Sequence, residues 1–244
     1  MSQKDKEGIL FSTEEMNNIM AETMKFSEDK PETIFGMTFK NAEERRAYFR
    51  EELRKKLPEL KKIEGFPIGS DEDILNLSDP PYYTACPNPW LNQFVEEWEK
   101  EKTVLENEGK RSKDFEVKEP YAADVSEGKN NPIYMAHAYH TKVPHPAIMR
   151  YILHYTQPGD IVFDGFAGTG MTGVAVGKCS DSNEVQSYNI QGEVGRRHCI
   201  LGDLSPIASF ISYNFNTPVN NQFVKQKAKE LLDASMKKWG YLYK

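Results

Sequence analysis

The fold is decided by one stretch, Ile161-Val162-Phe163-Asp164-Gly165-Phe166-Ala167-Gly168-Thr169-Gly170-Met171-Thr172. Its apolar start predicts a buried strand at residues 161–163, the glycines predict a loop at 165–170, and a helix is predicted at 171–178. Glycine lets the backbone turn with positive φ and approach a ligand closely. The helix N-terminus beyond the loop favours anionic or polar ligand atoms. The stretch therefore predicts a ligand-binding strand–loop–helix unit.

The spacing of the glycines and two acids narrow the ligand class. No Gly-Lys-Ser/Thr follows, which excludes a P-loop, and the order GxxGxG differs from the dinucleotide pattern GxGxxG. Asp164 ends the first strand, where it would pair with an amino group, and Asp203 ends the next, where it would accept two hydrogen bonds from a ribose diol. This arrangement suits a nucleoside with a cationic amino-acid tail, which describes S-adenosylmethionine (AdoMet). The alternative is a tight strand–helix turn without a ligand.

The flanking sequence continues the α/β pattern. His145-Pro146 opens a helix, residues 198–201 predict a second strand, and Ser205-Pro206 caps the following helix. Residues 180–195 are expected to be a polar insertion. A last amphipathic helix is predicted from Phe223 to Met236. The order β-loop-α-β-α is that of the front half of a doubly wound sheet.

The rest of the chain predicts two further segments. Residues 1–70 are expected to form a helical extension, with capping boxes at Ser12/Glu15 and Asn41/Glu44. Apolar rows follow each box, and Pro58 should end or kink the second helix; these rows are Met16, Ile19 and Met20, then Phe49, Leu53 and Leu57. Residues 71–138 combine an Asp-Pro-Pro-Tyr segment, a helix and a polar linker, and residues 139–244 form the ligand-binding half.

Residues 139–173 resemble the cofactor region of DNA N6-adenine/N4-cytosine amino-methyltransferases of the permuted type. Asp164, Phe166, Gly168 and Gly170 match well, whereas Gly165 stands where proline is usual. The Gly-Asp-Leu-Ser-Pro stretch at 202–206 resembles the acidic strand end that grips the ribose. The resemblance implies a Rossmann-like, AdoMet-dependent methyltransferase sheet. The cofactor-binding residues it implies are His140, Thr141, Lys142, Asp164, Gly165, Phe166, Gly168, Gly170, Thr172, Asp203 and Ser205.

The segment Asp79-Pro80-Pro81-Tyr82 matches the catalytic motif of that family letter for letter. An exocyclic amine is a poor nucleophile because its lone pair is delocalised into the ring. The Asp79 carboxylate and the Pro80 carbonyl would accept hydrogen bonds from the N–H groups of this amine. The prolines would fix the turn, and Tyr82 would stack on a base flipped out of the helix. The alternative is a rigid Pro-Pro turn that packs or caps the site.

The predicted sheet has few strands, which would leave apolar faces bare. The stretches NLSDPPYYTACPNPW and ADVSEGKNNPIYMAHAYHTKVPH resemble the N-terminal part of large DNA methylases. We therefore expect an incomplete sheet that needs a C-terminal half or a partner subunit. Three functions stay open: a DNA methylase acting on adenine or cytosine, with a restriction–modification role implied by the resemblance; an RNA or protein amine methyltransferase; and a non-catalytic subunit of a split methyltransferase.

Composition sets the remaining expectations. The 244 residues carry a formal charge of −6, which argues against a histone-like binder but not against a local basic groove. No apolar run reaches the roughly 18–20 residues of a membrane span, and the N-terminus lacks the apolar core of a signal peptide. Cys86, Cys179 and Cys199 form no CxxC pair, and His137 with His140 lacks a third ligand. We expect a cytoplasmic DNA-binding protein with no membrane and no metal partner.

Overall fold

The computed structural model describes residues 31–122 and 129–243. The chain divides into two compact units, one comprising the residues up to Glu51 together with Pro218–Lys244, and the other Glu52–Thr217. The first predicted helix, with its Ser12/Glu15 box, lies outside the described residues. The three-part division into 1–70, 71–138 and 139–244 stays a prediction.

Short strands and helices alternate along the chain. In order, they are β1 (Glu32–Ile34), β2 (Met37–Phe39), α1 (Ala42–Leu60), α2 (Asp71–Leu77), α3 (Leu91–Asn107), α4 (Pro132–Met135), α5 (His145–Tyr155), β3 (Ile161–Asp164), α6 (Met171–Lys178), α7 (Ser182–Ser187), β4 (His198–Leu201), α8 (Pro206–Asn216), α9 (Asn221–Trp239) and a 3₁₀ turn (Gly240–Tyr243).

Strands β1 and β2 form an antiparallel hairpin that the sequence analysis did not anticipate. Ile34 pairs with Met37, and the two turn residues between them, Phe35 and Gly36, have φ of 51° and 75°. Two positive φ values are the mark of the two-residue turn whose twist matches that of the flanking strands. The β-branched residues before Phe-Gly were the available signal, but the charged residues around them favoured a helical extension.

Helix α1 has one half of the second predicted capping box, and the return bond goes to Lys40 instead of Asn41. The Asn41 side chain accepts from the Glu44 N–H at 2.9 Å, and the Glu44 carboxylate accepts from the Lys40 N–H at 2.6 Å. The predicted apolar row is buried, with Phe49, Leu53 and Leu57 at most 1% exposed. Pro58 does not end the helix, which runs on to Leu60.

The core of the larger unit lies between α5, α6 and α7. Its buried members are Met149, Ile152, Leu153, Ala175, Val176, Cys179, Val185 and Ile190. Val185 and Ile190 come from residues 180–195, so the predicted polar insertion also contributes two apolar side chains to the core. The Asp181 side chain caps α7 by accepting from two backbone N–H groups, which lets this short helix present its apolar side to the core.

The predicted strand–loop–helix unit is confirmed, and β3 pairs in parallel with β4 in the register Ile161–His198 to Asp164–Leu201. The burial of β3 was predicted wrongly, because Phe163 is 72% exposed. A parallel sheet is buried only where further layers cover its faces, and among the described residues this sheet has two strands. The structure thus contains an α/β unit, while a complete Rossmann-like sheet stays a prediction.

Helix α9 follows the predicted amphipathic segment. None of its residues is buried, and Leu232 and Met236 are 60% and 50% exposed. Among the described helices, none is both long and apolar enough to cross a membrane.

The buried face of α5 gives the first prediction. Leu153→Ala should lower the free energy of unfolding by about 2–5 kcal/mol, because the deletion leaves a cavity beside α6 and α7. Leu153 is 2% exposed, whereas Val104 on α3 is 52% exposed. Val104→Ala is therefore the control and should change stability by about 0.5 kcal/mol or less. Urea unfolding followed by circular dichroism measures both; equal losses would contradict this account of the core.

Candidate functional site

The glycine loop turns between β3 and α6 at the carboxyl edge of the sheet. Gly168 and Gly170 have φ of +53° and +85°, a region that residues with a Cβ seldom adopt. Gly170 also leaves no room for a side chain, since a Cβ there would overlap Ser212 Oγ and lie 2.5 Å from Asn216 Nδ2. The glycines at these two positions are therefore required by the backbone of the loop itself.

Asp164 fastens the start of the loop to the start of α6. One carboxylate oxygen accepts from the Phe166 N–H at 3.1 Å, and the other accepts from the Thr172 hydroxyl at 2.6 Å. The structure thus brings together three of the predicted cofactor residues. Asp164 is half-buried beside the loop, so its carboxylate shapes the loop at the position where we expected it to meet a ligand.

Asp203, two residues after the end of β4, holds the middle of the loop. Its carboxylate accepts from the Gly168 N–H at 2.8 Å and from the Ser205 N–H at 2.9 Å. Ser205 confirms its predicted cap, because its hydroxyl accepts from the Ala208 N–H at 3.3 Å. Both acids predicted at the strand ends therefore hydrogen-bond to the glycine loop, while their predicted contact with a ligand stays a prediction.

Residues 131–143 form a segment that covers the loop. The His137 ring bonds the Thr169 hydroxyl at 2.7 Å, and the Tyr139 ring lies so close to Gly168 that a Cβ there would come within 2.9 Å of it. The Lys142 ammonium donates to the carbonyls of Tyr134 and His137. Sequence reasoning missed His137, Tyr139 and Thr169 as site residues, since their partners lie about thirty residues away.

Desolvation lowers the pKa values of His137 and Lys142 in this covering segment. It is the larger cause at His137, where the nearby Lys142 charge adds to it. It is also the cause at Lys142. His137 is therefore neutral at pH 7 and can accept from or donate to Thr169.

A cavity of about 120 Å³ lies between the covering segment and the loop. Its walls include six of the predicted cofactor residues: Thr141, Lys142, Asp164, Phe166, Gly168 and Thr172. Five others do not line it: His140, Gly165, Gly170, Asp203 and Ser205. The cavity is smaller than the roughly 300–1,000 Å³ typical of ligand pockets, so it has room for one end of a nucleoside–amino-acid ligand and not for the whole of it.

A larger cavity, of about 520 Å³, lies elsewhere in the same unit. Lys110, Arg111 and Arg196 line it together with Glu101 and Glu193. It contains none of the predicted site residues. Because its walls carry charges of both signs and share no residue with the cavity at the glycine loop, we treat it as separate from the candidate site.

The Asp79–Tyr82 segment folds as a tight loop closed by its ends. The backbones of Asp79 and Tyr83 exchange two hydrogen bonds of 3.0 Å, and the Pro80–Pro81 peptide bond is cis. The two prolines are fully buried, and the Pro81 carbonyl accepts from Asn88 Nδ2 at 2.8 Å. The loop therefore fixes the backbone on both sides of the Pro-Pro pair and engages the Pro81 carbonyl.

The Asp79 carboxylate is held from a distant part of the chain. Asp79 is 8% exposed, and the Tyr213 phenol on α8 donates to its Oδ2 atom. The ring of Tyr213 stacks on that of Tyr83, with centroids 4.6 Å apart and planes 11° apart. Tyr213 was not among the predicted site residues, because nothing local marks a tyrosine 134 residues away as a partner of Asp79.

Tyr82 begins a stack of four rings. Its ring, 51% exposed, lies 5.8 Å from Phe94, which lies 5.6 Å from Trp98, which lies 4.5 Å from His198. Burial lowers the pKa of His198 against the opposing effect of Glu101, so a neutral imidazole shares a 2.7 Å hydrogen bond with that carboxylate. The stack supports Tyr82 from one side and leaves much of its ring accessible.

The described residues offer neither a metal site nor a reactive thiol. No group of three or more His, Cys, Asp or Glu side chains among them could hold a metal ion. The three cysteines are free, and burial raises the pKa of Cys86 and Cys179 to about 11 and that of Cys199 to about 12. These thiols are protonated at pH 7, which makes them weak nucleophiles.

Comparison with known proteins identifies a family. A family model described as a DNA methylase, of the N6/N4 type, matches residues 3–200, more than half of the chain. The matched range includes the Asp79–Tyr82 segment and the glycine loop and ends before Asp203. No curated protein and no solved structure matches.

The close packing at Gly170 gives the second prediction. Gly170→Ala should lower the urea midpoint, because the new methyl group would meet Ser212 and Asn216 at a backbone φ that alanine avoids. A Cβ at Gly177, within the α6 helix that Gly170 precedes, would meet no atom within 4 Å. Gly177→Ala is therefore the control and should leave stability unchanged or raise it by about 0.4–1 kcal/mol. Similar shifts for both variants would contradict the assigned role of Gly170.

Proposed function

This chain belongs to the N6/N4 DNA methylase family, and on that premise we propose that it takes part in AdoMet-dependent methylation of the exocyclic amine of adenine or cytosine in DNA. One observation carries the proposal. Helix α8 contacts both the glycine loop, through Asn216 Nδ2 and the Gly170 carbonyl at 3.0 Å, and the buried Asp79 carboxylate, through Tyr213. The cofactor-like loop and the Asp-Pro-Pro-Tyr segment thus belong to one packed unit.

The polar groups around the loop fit AdoMet. Asp164 and Asp203 provide carboxylates on either side of the loop, which suit an ammonium group and a ribose diol. Asp203 already accepts two backbone N–H groups, and a carboxylate has about four lone-pair sites, so it retains capacity for the diol. Bound AdoMet would supply a methyl group activated by the sulfonium; the chain's own residues hold the cofactor and exclude water from the covered side.

The Asp79–Tyr82 segment fits the base. A flipped base has a π-face to cover, and the exposed ring of Tyr82 offers one. The Asp79 carboxylate and the Pro80 carbonyl would accept hydrogen bonds from the two N–H groups of the amine. These hydrogen bonds would direct the nitrogen lone pair out of the ring plane. When the nitrogen gains the methyl group it must release a proton, and the Asp79 carboxylate is the base in contact with it. Positioning and fixed dipoles would provide most of the acceleration.

A second candidate is that the chain is the AdoMet-binding portion of a split methylase. The observation that favours it is a set of exposed apolar side chains on β3, in the glycine loop, after β4 and on α8. Its members, between 72% and 89% exposed, are Phe163, Phe166, Leu204 and Ile207. Exposed apolar surface can mark an interaction site, so this candidate expects a C-terminal half or a partner subunit to cover these side chains.

Cofactor binding is tested at Asp203. Asp203→Ala should weaken AdoMet binding by about 1–3 kcal/mol, because the diol loses its acceptor and the loop loses its tie to Gly168. Asp181→Ala is the control, since Asp181 also accepts two backbone N–H groups, at the start of α7 and outside the site. Calorimetric titration of AdoMet measures both. Unchanged AdoMet affinity in Asp203→Ala would contradict the assignment of Asp203 to the ribose diol.

Methyl transfer is tested at Asp79. Asp79→Ala should retain AdoMet affinity and lose transfer to DNA by about 100-fold or more, because the amine loses its acceptor. Asp73→Ala is the control, because Asp73 belongs to the α2 capping box six residues earlier and not to the loop. Transfer of a labelled methyl group from AdoMet to DNA, with digestion to identify the modified base, measures both. Retained transfer in Asp79→Ala would place the catalytic motif elsewhere.

A further inference from the structure

We propose that Tyr213 is a positioning residue for the Asp79 carboxylate, an inference that rests on the proposed function. The phenol of Tyr213 donates to Asp79 Oδ2. A carboxylate that is only 8% exposed has lost most of its water and needs donors from the protein to remain charged and ordered. A hydrogen bond to an ionised acceptor is about twice as strong as one between neutral groups, so this contact fixes the orientation of the side chain.

The phenol is itself fixed by the segment it supports. Its ring stacks on Tyr83, at 4.6 Å and 11°, and the backbone of Tyr83 is paired with that of Asp79 by two bonds of 3.0 Å. Asp79, Tyr83 and Tyr213 thus form a closed circuit of contacts: backbone to backbone, ring to ring, and phenol to carboxylate. A group held at both ends in this way is preorganised, which is what a reacting geometry requires.

Helix α8 connects this circuit to the glycine loop. Tyr213 lies eight residues after Ser205, or about 12 Å along the helix axis, and Ser205 caps α8 next to Asp203. Asn216, three residues after Tyr213, donates to the Gly170 carbonyl at 3.0 Å. One rigid element therefore relates the Asp79 carboxylate to the loop. A misplacement of about 1 Å can cost about 100-fold in rate. Loss of the phenol, which positions the Asp79 carboxylate, should therefore slow methyl transfer.

The bond to Tyr213 leaves the carboxylate able to act on a base. A carboxylate offers about four lone-pair sites on two oxygens, so accepting the phenol is compatible with accepting an amine N–H. Binding through Oδ2 selects which way the carboxylate plane faces. Tyr213 thus acts through Asp79, while Asp79 is the group that would touch the base.

The first test measures the contact without requiring activity. Tyr213→Phe keeps the ring stacked on Tyr83 and removes the hydroxyl, so it should lower the urea midpoint of the full chain. In the Asp79→Ala background the same substitution should give a smaller shift, because the acceptor is gone. Equal shifts in the two backgrounds would overturn the proposal.

The second test measures positioning. In Tyr213→Phe, kcat for methyl transfer to DNA should fall about 10- to 100-fold, the range for one hydrogen bond to a charged group. KM for DNA and the AdoMet affinity should stay within about twofold of wild type. Tyr151→Phe is the matched control: Tyr151 on α5 is 44% exposed and lies outside the glycine loop and the Asp79–Tyr82 segment, so kcat should be retained.

The outcomes separate this inference from the proposed function. Wild-type kcat in Tyr213→Phe would overturn the positioning role, as would an equal loss in Tyr151→Phe. A wild-type chain that transfers no methyl group to DNA would contradict the proposed function, and the midpoint comparison would still decide whether Tyr213 holds Asp79.

Discussion

The close approach of α8 to the start of α6 is the contact on which both halves of the candidate site depend. Gly170 faces Ser212 and Asn216, and Gly173 faces Asn216, at distances that leave no room for a Cβ. This packing fixes the depth at which α8 lies against the glycine loop. The same helix starts beside Asp203 and carries the Tyr213 phenol that donates to Asp79. The close packing at the two glycines therefore positions both of these contacts.

Asp164 and Asp203 hold the glycine loop in shape in the absence of a ligand. Asp164 and Asp203 each accept two donors from the loop or its flanking helices. The Lys142 ammonium, which the sequence assigned to a cofactor, is engaged by two carbonyls of the covering segment. Because these charges are already bonded within the protein, the loop is formed before a ligand arrives, which lowers the entropic cost of binding.

Local signals in the sequence predicted local structure well. The strand, loop and helix at 161–178 and the Ser205 cap follow from glycine conformation and capping, which depend on a few neighbouring residues. The exposure of Phe163 was missed because burial depends on what covers a strand, and the Phe35-Gly36 turn was missed within a charged, helix-like context. The partner of Asp79 could not be predicted, since a hydrogen bond across 134 residues leaves no mark on spacing.

The ring stack that begins at Tyr82 has an optical consequence. Trp98, one of three tryptophans in the chain, lies between Phe94 and the neutral imidazole of His198. If His198 gains a proton in acid, a cation replaces that neutral ring over the indole face. We therefore expect protonation of His198 to change the emission of Trp98, which makes this tryptophan a fluorescent reporter for the buried end of the stack.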